Sequence, residues 1–280
     1  MRQYCDLHVH STCSDGTCTP TELVQMAEDL GLSAVALCDH NTVAGLPEFL
    51  AAGEGKQVKT VPGVEFSTEY GETELHILAL WLDRAQFGKV TALLEDFRQR
   101  KDRSNAELVE NLNRAGFRLD YAAICQAAGG YVNRAHIAAA MTKAGYTETN
   151  QEAFKKYLAP EAGFYTPPQR LDAFDAIRFI KSLGAVAVLA HPYLNLEQPA
   201  LEQFLPRAVE AGLDAMEVLY PKYDGATRAL AAETAERFGL LPSGGSDFHG
   251  ENKPDIAMGT GRGDLKIPAA FEQGLHNLIL

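Results

Sequence analysis

Short apolar, β-branched runs recur along the chain, with helically patterned segments between them. The runs are YCDLHVH (4–10), SAVALCDH (33–40), VKTVPGVEFS (58–67), ELHILALW (74–81), AVAVLAHP (185–192), DAMEVL (214–219) and LLPSGGSDFH (240–249). Strands alternating with helices in this way predict an α/β fold built on parallel strands. The first crossover helix is marked at both ends. Thr19 and Glu22 form a capping box, Pro20 takes the first helical position, Leu23, Met26, Ala27 and Leu30 make the apolar stripe, and Gly31 ends it.

The alternation stops between about residues 88 and 166. Val90, Leu93, Leu94 and Phe97 are helically spaced, Leu108, Val109 and Leu112 follow, and further helices are predicted after Asp120 and from Asn133 to Ala144. This pattern predicts an all-helical insertion over residues 89–166 in a domain formed by residues 1–88 and 167–280. The Pro and Gly cluster LAPEAGFYTPPQR (158–170) marks the far boundary, before a helix that begins near Asp172.

Composition narrows the classes. The 280 residues are 46% hydrophobic, enough for a large core. No run of eighteen apolar residues occurs, and MRQYCDLHVH lacks the apolar stretch of a signal peptide, so the expectation is a cytoplasmic protein without a membrane partner. Cys5, Cys13, Cys18, Cys38 and Cys125 are an odd number without a spaced framework and read as reduced thiols. Cys13 and Cys18 also have the softness of metal ligands, although the plain thiol reading is preferred.

A formal net charge of −12 repels polyanions, so a phosphate substrate requires cations or well-placed arginines. Arg98, Arg100, Lys101 and Arg103 form a basic cluster that reads either as a guide for a short oligonucleotide or as a solvated helix face. Without a basic stripe or an aromatic platform, duplex nucleic acid is not an expected partner.

The chemistry lies at the ends of the predicted strands, where His8 and His10, Asp39 and His40, Glu65, His76, His191, Glu217, and Asp247 with His249 occur. In a parallel barrel these ends open on one face. Six of the eight histidines belong to this set. Any one of them fits a hydrogen-bonded core position, Asp15 fits a turn cap with Gly16, and Asp247 fits a helix cap. His8 and His10, however, are two apart and face one side of a strand, and two such imidazoles are costly to desolvate without a cation. One metal centre accounts for every placement at once. Imidazoles mixed with carboxylates suit Zn, Mn or Fe, and His8, His10, Asp15, His40, Glu65, His76, His191, Asp247 and His249 are enough ligands for two or three ions. Asp39 and Glu217 read as partners that orient imidazoles.

These residues fall in HVHSTCSDG (8–16), ALCDHN (36–41), PGVE (62–65), HILAL (76–80), AHP (190–192) and GSDFH (245–249). Together the segments resemble the PHP (polymerase and histidinol phosphatase) family of metal-dependent phosphoesterases over nearly the whole chain. The resemblance implies a distorted (β/α)7 barrel with two or three divalent metal ions (Mn, Zn or Fe) held by the nine ligands above.

VNRAHIAAAM (132–141) and FKKYLAPEAGFY (154–165) are similar to the subgroup of 3',5'-nucleotide bisphosphate phosphatases and the 5'-to-3' exonuclease ribonuclease AM. In that subgroup the insertion covers the metal face and supplies phosphate-binding residues. Carried over, these are Arg134 and His136, as substrate-binding and catalytic groups; the plainer readings are a solvated helix arginine and a packing histidine.

The implied reaction removes phosphate from a small phosphorylated nucleotide such as a 3',5'-bisphosphonucleotide, or acts on the 5' end of short single-stranded RNA, through a hydroxide bridging two metals. Cyclic nucleotide phosphodiesterase and histidinol phosphatase are alternatives. A non-catalytic metal-binding accessory module is the rival of another class.

Overall fold

A computed structural model describes residues 2–128 and 132–280. The chain divides into two compact units, residues 1–91 with 171–280, and residues 92–170. The first unit carries strands β1 (Tyr4–Val9), β2 (Ala34–Leu37), β3 (Lys59–Tyr70), β4 (Thr73–Leu80), β5 (Val186–Ala190), β6 (Ala215–Leu219), β7 (Leu241–Gly244) and β8 (Ile267–Pro268). Helices α1 (Pro20–Asp29) and α2 (Leu46–Gly53) follow β1 and β2, and α3 (Phe87–Arg114) leaves this unit at residue 91. The second unit holds α4 (Tyr121–Ala127), α5 (Arg134–Lys143) and α6 (Asn150–Ala153), after which α7 (Ala173–Ser182), α8 (Gln198–Ala211), α9 (Gly225–Arg237) and α10 (Ala269–His276) return to the first.

The strands form one sheet in the order β7-β6-β5-β4-β3-β2-β1-β8, nearly closed into a barrel. The segment after β7 completes the closure against β1, with the His10 amide donating to the Phe248 carbonyl at 2.9 Å and the Asp247 amide to the His8 carbonyl at 2.8 Å. Gly245 permits this approach, since a Cβ there would lie 2.1 Å from that of His8. The barrel core includes Leu7, Ala36, Val61, Leu78, Val188 and Ala215, with Ile267 and Leu275 packed on it.

The expected all-parallel pattern is broken at two strands, the short β8, which pairs antiparallel with β1, and β4. β4 pairs antiparallel with both β3 and β5. Its link to β3 is the two-residue loop Gly71-Glu72, with Gly71 at φ +61, too short for a crossover. β8, two residues long, carries too little pattern to be read from sequence.

In α1 the capping box and Pro20 are as expected, and Leu23 and Ala27 are buried. Leu30 is 53% exposed because the helix ends at Asp29 and leaves it as the C-cap, while Val24 joins the buried face.

In the second unit Leu108, Val109 and Leu112 of the 28-residue α3 pack with Ile124, Ile137, Ala138 and Met141. Asp120 caps α4, and Asn133 caps α5. Arg98 pairs with Glu95 at 2.6 Å and Arg100 with Asp96 at 2.7 Å, so both lie on a self-neutralised helix face.

Asp6 ties the closure together. Fully buried, it accepts from the Ser246 amide at 2.8 Å and the Gly259 amide at 2.7 Å. Asp6→Ala strands both amides away from water at about 1–3 kcal/mol each, so a loss of about 2–6 kcal/mol in urea unfolding is expected. A wild-type midpoint in that variant contradicts this role.

Candidate metal centre

Nine side chains from the ends and loops of β1 to β7 meet at one end of the barrel. Among the described residues, four overlapping groups have ligand atoms within 4.8 Å of one another: His10, Asp15, His40 and His249; His8, Glu65 and His191; His8, His10 and Asp247; and His40, Glu65 and His76. Every member is one of the nine residues predicted as ligands. All five cysteines are free, and no sulfur belongs to these groups.

Two irregularities of the sheet aim the side chains. The register of β1 against β2 slips between Asp6 and Val9, so that Cys5 and Leu7, which pack in the barrel core, are followed on the same side by His8 and His10. A second slip falls between Glu217 and Leu219. Bulges of this kind re-aim side chains at barrel rims. The reversal of β4 corrects one expectation. His76 lies near the start of its strand rather than its end, and because that strand runs backwards it reaches the same rim. Glu65 lies in the middle of β3, which continues past it into the hairpin.

Glu65 is the hub. Its Oε1 lies 2.8 Å from His76 Nδ1 and 3.2 Å from His191 Nε2. Its Oε2 lies 3.3 Å from Nε2 of both His8 and His10, and 3.0 Å from His40 Nδ1. Despite these distances Glu65 Oε2, His10 Nδ1, His40 Nδ1, His191 Nδ1 and His249 Nε2 are buried without a hydrogen-bond partner among the described residues. Buried polar atoms are almost always paired. Lone pairs crowded together without hydrogen-bond geometry fit cations as the missing partners, and imidazole nitrogen with carboxylate oxygen is a donor set suited to divalent transition metals.

Around this hub, Glu217 holds His8 Nδ1 at 3.0 Å and accepts from the His191 amide at 2.7 Å. Asp39 departs from its expected role of orienting an imidazole. Its carboxylate accepts from the Ser11 amide at 2.7 Å and from the Ser11 and Ser14 hydroxyls at 2.6 Å each, which fixes the loop carrying Asp15. Sequence reading missed Tyr220 and Lys253, which bond Asp247 Oδ2 at 2.7 Å each. Tyr220 follows β6 directly and so sits at a rim position, which was the available signal; Lys253 had none.

Arg134 and His136 lie in the second unit. The Arg134 guanidinium donates to the Leu158 carbonyl at 3.0 Å and stacks 4.5 Å from the Tyr165 ring centroid. His136 Nδ1 accepts from the Asn133 amide at 3.2 Å, completing the cap of α5.

The field of the cluster sorts its protons. Burial alone would lower His8, but Glu65 and Glu217 outweigh it and hold the imidazole well above its ordinary range. Against the same effect, Glu65 and Glu74 lift His76 to about 9. His40 is depressed to about 4, chiefly by burial. Burial opposes ionisation of Glu65 and Asp247, yet the surrounding imidazoles keep both well below the usual carboxylate range.

Comparison with known proteins gives a consistent answer. A PHP domain signature matches residues 6–165. The 5'-3' exoribonuclease Rnm of Salmonella typhimurium is 35% identical over 95% of this chain and 91% of its own. The 3',5'-nucleoside bisphosphate phosphatase of Chromobacterium violaceum is 30% identical over 90% of each. A crystal structure from Bifidobacterium adolescentis, described as a metal-dependent phosphoesterase, superposes with a TM-score of 0.69 at 28% identity, covering 100% of this chain and 98% of that one.

Cations and protons compete for this cluster. The contribution of His76 to the stability of the metal-free fold is complete below its ordinary 6.5 and fades as pH rises through about 9. Divalent cation binding should therefore strengthen between pH 6.5 and 9 and release protons at pH 7. Calorimetry in two buffers of different ionisation enthalpy measures the release. Binding without proton release at pH 7 contradicts the assignment.

Proposed function

The chain belongs to the PHP family of phosphoester hydrolases, and on that premise we propose that it removes phosphate from a small phosphorylated nucleotide. A 3',5'-bisphosphonucleotide is the leading substrate and the 5' end of a short RNA the second, and the proposed setting is the cytoplasm. The observation that carries the reading is the convergence of six imidazoles and three carboxylates on shared points, five of their atoms buried and unpaired. His8, His10, Asp15, His40, Glu65, His76, His191, Asp247 and His249 would hold two or three divalent ions, drawn from Mn, Zn and Fe. When bound, such ions supply Lewis acidity to phosphoryl oxygens and bring the pKa of water toward neutrality.

The side chains divide the remaining work. Glu65, reached by five imidazoles through its two oxygens, would bridge neighbouring positions. Glu217 fixes the ring of His8 from behind, which sets the nitrogen that faces the centre. Asp39 steadies the loop that carries the more exposed Asp15. The substrate class is supported by the two relatives, which act on a bisphosphorylated nucleoside and on RNA ends, as their names state. The net charge of −12 argues against long polyanions unless they are drawn in by bound cations. Arg134 and His136 are proposed as groups for substrate phosphate; the planar guanidinium fork, which matches phosphate oxygens bidentately, supports the first.

Metal analysis of the purified protein, combined with assays on 3',5'-bisphosphonucleotides, mononucleotides, cyclic nucleotides, histidinol phosphate and short 5'-phosphorylated RNA, tests the proposal. Chelator-sensitive release of phosphate or mononucleotide is expected. Glu65→Gln and Asp247→Ala should lose it while keeping the wild-type circular dichroism spectrum. Full metal occupancy with no turnover on any of these esters would favour the accessory-module reading.

A further inference from the structure

Asp247 uses its two oxygens differently. Oδ1 faces the imidazoles, 3.2 Å from His10 Nε2, 3.4 Å from His249 Nδ1 and 3.8 Å from His8 Nε2. Oδ2 points the other way and is taken twice, by the Tyr220 hydroxyl and the Lys253 ammonium, each at 2.7 Å. Tyr220 is only 1% exposed, and its ring lies 5.2 Å from that of His191, so its place is fixed by packing on a second member of the cluster. Lys253 approaches from the rim, with 31% of its side chain exposed. The backbone of Asp247 is also held in an unusual state, at φ +54, which costs a non-glycine residue energy unless its surroundings enforce it.

We propose that Tyr220 and Lys253 are positioning residues that occupy Oδ2 of Asp247 and so offer Oδ1 alone to a cation held with His8 and His10. This rests on the reading of the cluster as a metal centre. A carboxylate with both oxygens free swings between one-oxygen and two-oxygen ligation; one with an oxygen bonded to two donors is restricted to the former. Lys253 has a second electrostatic effect of opposite sign. Its charge alone repels a cation, so deleting it strengthens binding if charge dominates and weakens binding if positioning dominates.

Cobalt(II) titration of the metal-stripped protein, followed by visible absorption, separates these outcomes. Tyr220→Phe is expected to weaken one class of cobalt site by about tenfold or more and to change its absorption band, as loss of a partner behind a ligand does. Lys253→Met is expected to weaken the same class. Tyr223→Phe, which alters a neighbouring buried tyrosine bonded to the Tyr193 amide instead, should match wild type. Wild-type isotherm and spectrum in a folded Tyr220→Phe protein overturn the proposal, and tighter cobalt binding by Lys253→Met overturns the part assigned to the lysine. Lys253 is partly exposed, so its variant tests the idea even if Tyr220→Phe fails to fold. A wild-type protein that takes up no cobalt defeats the metal-centre reading itself, and this inference with it.

Discussion

A carboxylate with no solvent exposure, ringed by five imidazoles, is the constraint around which this molecule is organised. Glu65 cannot be ionised and dry without compensating positive charge. In the metal-free state protons on His8 and His76 supply that charge. Yet the atoms left unpaired, Glu65 Oε2 among them, indicate that protons are an incomplete solution. Divalent cations satisfy both halves of the problem, charge and coordination, and the same cations make the cluster useful for phosphoryl chemistry. Stability and function thus draw on one arrangement rather than competing for it.

The barrel meets this demand by local departures from regularity. Register slips in β1 and β6 turn side chains toward the rim, and the reversed β4 brings His76 to it from the opposite chain direction. His191 at φ +29 and Asp247 at φ +54 sit in backbone states that cost about 1–3 kcal/mol each. Their neighbours enforce them: the His191 amide is tied to Glu217, and the carboxylate of Asp247 is tied to Tyr220 and Lys253. Asp6 and Gly245, neither a candidate ligand, close the ring at the point where His8 and Asp247 must meet.

Much of this was legible in the sequence because the strands are apolar and the cluster is not. A single histidine at the end of a run such as VAVLA fits a core position, but the recurrence of histidines after successive strands exposes a shared rim. Strand direction was less legible. The run around His76 reads alike in either direction, and only the two-residue link Gly71-Glu72 decides it. Asp39 was misjudged because adjacency to His40 suggested contact, whereas the structure turns the carboxylate toward Ser11 and Ser14, more than twenty residues earlier. Tyr220 and Lys253 went unnoticed for a related reason. A tyrosine and a lysine act here through an oxygen of a third residue, and neither spacing nor composition records such a partnership.

Anomalous diffraction from crystals grown with manganese tests the central claim most directly. The account predicts two or three peaks inside the cage of His8, His10, His40, Glu65, His76, His191 and Asp247, with Glu65 in contact with more than one of them. Peaks confined to the protein surface, or a cage left empty at millimolar manganese, would contradict it.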